Sequence, residues 1–301
     1  MTSLERVHAV AEKGFTERQA GFLVTVMLHS GVCVRRQYCA YARIAHGQKD
    51  HDFFASLVAK KQATSYAAAH RRAHIYHVHS KPLYAAIREP NNRNRKPVTL
   101  ARAIERLMVL DTVLGERRLE WLGAERDKVE YFSTATSLRL KELPHLVFGA
   151  GPDTTIRYFP DKLPVGITGD GRTHVFLYLV NRKTPVDFRA FLHRHSELLR
   201  ALPQWELRLL VPRHLLEAAP RGWKSASSGY WMPNFSAKAL CDHALSTLMP
   251  STCASSFSNS FMSFTMHACS FVHTGLQSSG YHISTTFFFP LKSASFTSCW
   301  F

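Results

Sequence analysis

Residues 16–79 constrain this chain more than any other stretch, because three short helical patterns and two strand patterns follow one another with little between them. The first, residues 16–30, reads TERQAGFLVTVMLHS. Thr16 suits an N-cap, Glu17 falls in the first turn where the helix dipole favours an anion, and Gly31 follows as a stop. Ala20, Leu23, Val24, Met27 and Leu28 recur at three- and four-residue spacing and predict a buried face. A second helix is expected over residues 35–45, with Tyr38, Cys39, Ala42 and Ile44 inward. After the turn His46-Gly47-Gln48, a third helix over residues 49–61 buries Phe53, Phe54, Leu57 and Val58. Its outer side then presents Lys49, His51, Ser56, Lys60 and Lys61. Strand-like runs at 63–67 and 73–79 flank a basic tip, His70-Arg71-Arg72. Three short helices and a basic-tipped hairpin outline a winged helix-turn-helix, in which the third helix enters a major groove.

Charge sharpens that expectation. The 301-residue chain carries a formal net charge of +16, and the excess is uneven. Residues 16–106 hold 16 Lys and Arg against 5 Asp and Glu, whereas residues 107–221 hold 17 against 14. An excess concentrated on the reader module points to a polyanionic partner, because each phosphate contact releases counterions. Double-stranded DNA is the expected partner, with room for a homodimer. No membrane partner is expected, since no long apolar run and no amphipathic basic helix is present. Residues 1–15 mix charges and lack the apolar core of a secretory signal, so a cytoplasmic location is expected. The six Cys form no CxxC pair; Cys33 and Cys39 read as core thiols, the four after residue 222 as incidental, and neither a metal nor a cofactor is expected.

Around the reader module the chain divides as follows. Residues 1–97 form the DNA-binding domain, with a leader helix at 3–13, a helical turn at 81–88 and a polar, basic loop at 89–97. That loop is either an arm that tracks a DNA backbone, with Arg93, Arg95 and Lys96 as candidates for its contacts, or a solvated linker. Residues 98–137 are linker helices, a strong one at 98–115 and another at 119–129. Residues 138–221 make a small α/β domain. Its central strand is residues 174–180, HVFLYLV, followed by a helix at 187–201 and a buried strand at 207–211. That order predicts a right-handed crossover between parallel strands. Residues 222–301 differ in kind, with three Lys, one Asp, no Arg, no Glu and 18 Ser. Two readings are open for this stretch: an unusual Ser/Phe-rich functional tail, or out-of-frame translation beginning near Arg221. The missing hydrophobic periodicity favours the second and predicts no regular structure there.

Chemistry has few footholds. A restriction-endonuclease-like site needs an Asp at one strand and an acid-x-Lys on the next to hold a divalent metal beside the scissile phosphate. Asp161 stands at a suitable distance before the central strand, and Lys183 follows it. The acid position falls on Leu179 or Asn181, neither of which carries charge. Asp161 therefore reads as a turn residue, and no catalytic residue is assigned. His74, His77 and His79 join His70 in crowding the hairpin without a third ligand on their face. His193 and His195, two apart on one helix, read as surface positions.

The order of a winged helix, a linker helix, Pro160-Asp161 and an apolar strand ending Leu179-Val180-Asn181-Arg182-Lys183-Thr184 resembles the replication-relaxation proteins of plasmids and mobile elements. Arg182 and Thr184 match that family's acid-x-acid-Arg-Gly-Thr strand end, and both acids are replaced. The resemblance spans about residues 16–211 and implies bacterial DNA binding in transcription or replication control of a mobile element. It carries no implication of catalysis. The alternatives are a metal-dependent nuclease using Asp161 and Lys183, and an adaptor whose basic module docks on an acidic protein.

Overall fold

The computed structural model describes residues 1–67, 74–180 and 186–212, and the backbone of two further strands at 261–269 and 283–290. The chain divides into two compact units, Met1–Arg118 and Leu119–Phe301. Together the described residues form a mixed α+β fold with eight α-helices and three small sheets.

In the first unit, α1 (Ser3–Ala11) starts from a capping box between Thr2 and Glu5. The next helix, α2 (Glu17–His29), starts from another, with Thr16 Oγ1 accepting the Gln19 N–H and the Gln19 side chain accepting that of Thr16. Eight of its 13 residues are buried, so α2 is the central post of the unit. It ends at Gly31, whose φ of +73° a side chain tolerates poorly, and a Cβ there would lie 2.4 Å from the Asn94 carbonyl oxygen. Gly31→Ala is expected to cost about 2–3 kcal/mol, as left-handed strain adds to the clash. Urea melts of the full chain measure it, and an unchanged midpoint would contradict this account of Gly31.

Chain order then runs β1 (Val32–Cys33), α3 (Arg35–Ala42), α4 (Gln48–Ala59), β2 (Ala63–Ala67) and β3 (His74–Val78). The strands form an antiparallel sheet ordered β1-β3-β2, with Val32 opposite His77 and Ala63 opposite Val78. An aromatic chain joins these elements. Phe22 meets Tyr38 at 5.2 Å, Tyr38 meets Phe53 at 4.5 Å, Phe53 meets Phe54 at 5.0 Å, and Phe54 meets Tyr76 at 4.3 Å between centroids. Two expectations need correction. The second helix stops at Ala42 because Arg43 turns left-handed (φ 54°), which leaves Ile44 off the helix and half-buried. Val58 is 38% exposed, because the inward stripe of α4 is Phe53, Phe54 and Leu57, and the next position rotates out of it. After the hairpin come α5 (Lys81–Ala86), a 3-10 turn at Arg93–Arg95 and α6 (Leu100–Gly115), capped by Thr99.

The second unit opens with a difference from expectation. Residues 119–129 are not one helix: β4 (Leu119–Leu122) precedes α7 (Glu125–Ala135). Gly123 and Ala124 separate the two, and β4 finds its backbone partners on β7 (Val165–Thr168). A separate hairpin pairs β5 (His145–Phe148) with β6 (Thr155–Tyr158). The main sheet continues through β8 (Thr173–Leu179), α8 (Val186–Ala201) and β9 (Gln204–Pro212). β7 and β8 are antiparallel, whereas β8 and β9 are parallel and connected through α8, as the strand-helix-strand pattern predicts. Beyond β9 lie β10 (Phe261–Cys269), parallel to it, and β11 (Ile283–Pro290), antiparallel to β10. These two strands correct the expectation that nothing regular occurs after residue 222. Their Thr and Phe content suits strands even without alternation. The remainder of that stretch lies outside the described residues.

Candidate nucleic-acid interface

The outer face of α4 is built by what holds its inner end. Asp50, on the first turn, is completely buried. Its Oδ1 accepts the Gly47 N–H at 2.6 Å, and its Oδ2 accepts Arg35 Nε from α3 at 2.7 Å. Burial alone would raise the Asp50 pKa, but bonds from Arg35, Gly47 and His46 outweigh it and hold the carboxyl well below its usual range. This one carboxylate thus caps α4 and fixes it to α3. Gln48, Lys49, His51, Asp52, Ala55, Lys60 and Lys61 are exposed, and Ser56 is half-buried. Asp52 is the acid on this face; Gln48 Nε2 donates to it at 2.6 Å and His51 Nδ1 stands 3.6 Å away. Lys61, left-handed at φ 54°, turns the chain into β2.

On the hairpin, Thr64 Oγ1 lies 2.9 Å from His79 Nε2 and Ser65 Oγ 2.9 Å from His74 Nδ1. His77 instead points inward, and its Nε2–H donates to the Asn94 carbonyl at 2.9 Å. Burial lowers its pKa, so it is a neutral core residue. Arg71, Arg72 and His70 at the tip lie outside the described residues.

The basic loop is a packed turn. Arg95 donates to the carbonyls of His79 (3.2 Å) and Pro90 (2.5 Å), and the buried Asn94 side chain donates to those of Met27 and Leu28. Lys96 is exposed. Arg93 is half-buried, and burial together with the charges of Arg106 and Arg102 pushes its pKa down to about 10. Arg106 donates to the Ser30 carbonyl at 3.3 Å, and Arg102 pairs with Glu105. The structure therefore adds Arg102 and Arg106 to Arg93 as one cationic cluster at the C-terminal end of α2. Their i, i+4 spacing on α6 is visible in the sequence, but not their meeting with Arg93.

No protein-family model, curated protein or solved structure matched the chain.

In the second unit Asp161 faces Arg194 on α8, which donates to both its oxygens at 2.8 and 2.9 Å. Leu179 belongs to the buried core, and Asn181, Arg182, Lys183 and Thr184 lie outside the described residues. His195 corrects its surface assignment, being 3% exposed. Phe188, Phe191, Leu192, His195, Leu198 and Leu199 form one continuous stripe on α8, and His195 occupies a core position of it. Among the described residues no helix is long and apolar enough to cross a membrane.

Proposed function

We propose that this chain is a DNA-binding protein whose first unit reads duplex DNA as a winged helix, in the control of transcription or replication of a mobile element. The observation that carries the reading is the order α2-β1-α3-α4-β2-β3 with a β1-β3-β2 sheet, in which the outer face of α4 is left exposed. The +11 excess of residues 16–106 supplies the electrostatic footprint, and the exposed Lys49, Lys61 and Lys96, with Lys60 seated over the Phe15 ring, would meet phosphates. Asp52 on the same face repels phosphate and suits a base edge instead, accepting from a cytosine amino group. The mobile-element assignment rests on the sequence resemblance alone.

What speaks against a nuclease is the company Asp161 keeps. A carboxylate held through both oxygens by Arg194 has its charge already answered, and the core side chain of Leu179 offers no second ligand.

Fluorescence anisotropy of the full chain on random duplex, titrated from low to physiological salt, tests the proposal. The log–log slope should reach several units, and replacing Lys49 and Lys61 together by Ala should flatten it by about 2, since each phosphate contact contributes about 0.9. Binding that is absent or independent of salt would turn the basic module into a protein-docking surface. A slope unchanged in the double variant would take α4 out of the interface.

A further inference from the structure

Cys39, His46 and Asp50 are separated by six and three residues, and the turn between α3 and α4 brings them together. Cys39 closes the inward face of α3, and its carbonyl accepts the Ile44 N–H at 3.0 Å as the chain reverses. His46 lies in the turn, and Asp50 in the first turn of α4. Cys39 Sγ is 3.4 Å from His46 Nδ1, which is 3.4 Å from Asp50 Oδ2, and all three atoms lie within 4.8 Å of one another.

Without an ion, the carboxylate can gather the other two groups, accepting from the thiol and from the ring N–H. The arrangement is not a nucleophile relay, which needs the thiol on one ring nitrogen and the acid on the other. The same three atoms also have the spacing of ligands around a cation. Zn–S bonds of about 2.3 Å and Zn–N or Zn–O bonds of about 2.0–2.1 Å at tetrahedral angles put the ligand atoms roughly 3.3–3.6 Å apart.

We propose that Cys39, His46 and Asp50 form a three-ligand site for a thiophilic divalent cation of the Zn²⁺ class. A fourth, water-filled position opens to solvent beside the His46 ring, which is 59% exposed. Thiolate and carboxylate together balance the two charges of the ion, and binding releases the Cys39 proton. The Arg35 contact does not block the site. A carboxylate oxygen has two lone pairs, so Oδ2 can keep the Arg35 bond and still ligate, with the guanidinium orienting the ligand from outside. The bound ion cross-links α3 to the start of α4. The site does not depend on the DNA-binding reading.

Co²⁺ added to metal-free full-length protein is the probe. One equivalent should give the near-ultraviolet thiolate-to-cobalt band and the intense visible bands of a tetrahedral centre, and Zn²⁺ should bleach both. Cys39→Ser should abolish the thiolate band. His46→Gln, at an exposed position, should weaken Co²⁺ binding at least tenfold while the metal-free variant keeps the circular dichroism spectrum of the wild type. No thiolate band in the wild type overturns the proposal. So does a band that survives in Cys39→Ser, which would assign the metal to another cysteine, or undiminished affinity in His46→Gln.

Discussion

Asp50→Ala is expected to destabilise the first unit by about 3 kcal/mol in metal-free protein, the largest effect of any single polar substitution there. Three losses add. The capped Gly47 N–H loses its acceptor, about 1 kcal/mol. The charge-assisted bond from Arg35 goes, about 1.5–3 kcal/mol by itself. A small polar cavity is left between α3 and α4. One term limits the sum: the Arg35 side chain is 33% exposed and regains water, so the full penalty of a stranded buried cation does not apply. Arg35→Met is the partner experiment, and it strands the buried carboxylate instead. Because both variants break the same bond, the double variant should cost less than the sum of the singles. Calorimetry of the full chain with chelator reads the stability, and hydrogen exchange should localise the loss to α3 and α4. Strict additivity of the two substitutions would dissolve the coupling on which the α3–α4 geometry rests.

That pair also marks where the sequence stops being legible. Thr16, Gly31 and Thr99 announce their helix ends because capping is local chemistry, complete within three or four residues. The hairpin strands and the parallel β8–β9 pair are equally local in their signal. Arg35 and Asp50 stand 15 residues apart, Asn94 reaches Met27 across 67, and Arg36 reaches Asp111 across 75. No periodicity encodes such meetings. Cys39, His46 and Asp50 fall between the two cases. His46 and Asp50 have the i, i+4 spacing of a helical pair, but a helix start intervenes, and Cys39 joins them only because Arg43 ends α3 left-handed. The basic loop at 89–97 reads from composition as a DNA-tracking arm or a solvated linker, yet Asn94 and Arg95 spend their side chains on backbone carbonyls and fold it down. On the outer face of α4 the exposed lysines were readable from spacing alone; the hydrogen bond from Gln48 to Asp52 was not.

His195 gives the second large effect, and here the signal was present in the chain. The stripe of α8 repeats at three and four residues straight through position 195, so its period places the imidazole in the core. Once there, its Nδ1–H donates to the Phe191 carbonyl at 2.9 Å, and the ring stacks on Phe191 at 4.1 Å and meets Phe176 edge-on at 6.0 Å. Burial pushes its pKa down from 6.5 to about 4, against a partial opposing pull from Asp161. The sign follows from proton uptake. Below pH 6.5 the unfolded chain binds a proton that the folded chain refuses until about pH 4. The stability that neutral His195 contributes is therefore complete above pH 6.5, falls as the pH drops, and is lost by about pH 4. At about 1.4 kcal/mol per unit, the second unit should lose roughly 2 kcal/mol between pH 6.5 and 5, and about 3 by pH 4. His174, whose pKa burial also lowers, contributes in the same direction. His195→Leu retains the apolar stripe without the titrating ring, so its stability should fall much less over that range, leaving the His174 part. Urea midpoints of both proteins at pH 7.5 and 5.0 decide the matter. A variant as acid-sensitive as the wild type would mean that the ring in the α8 core is protonated as readily as one in water.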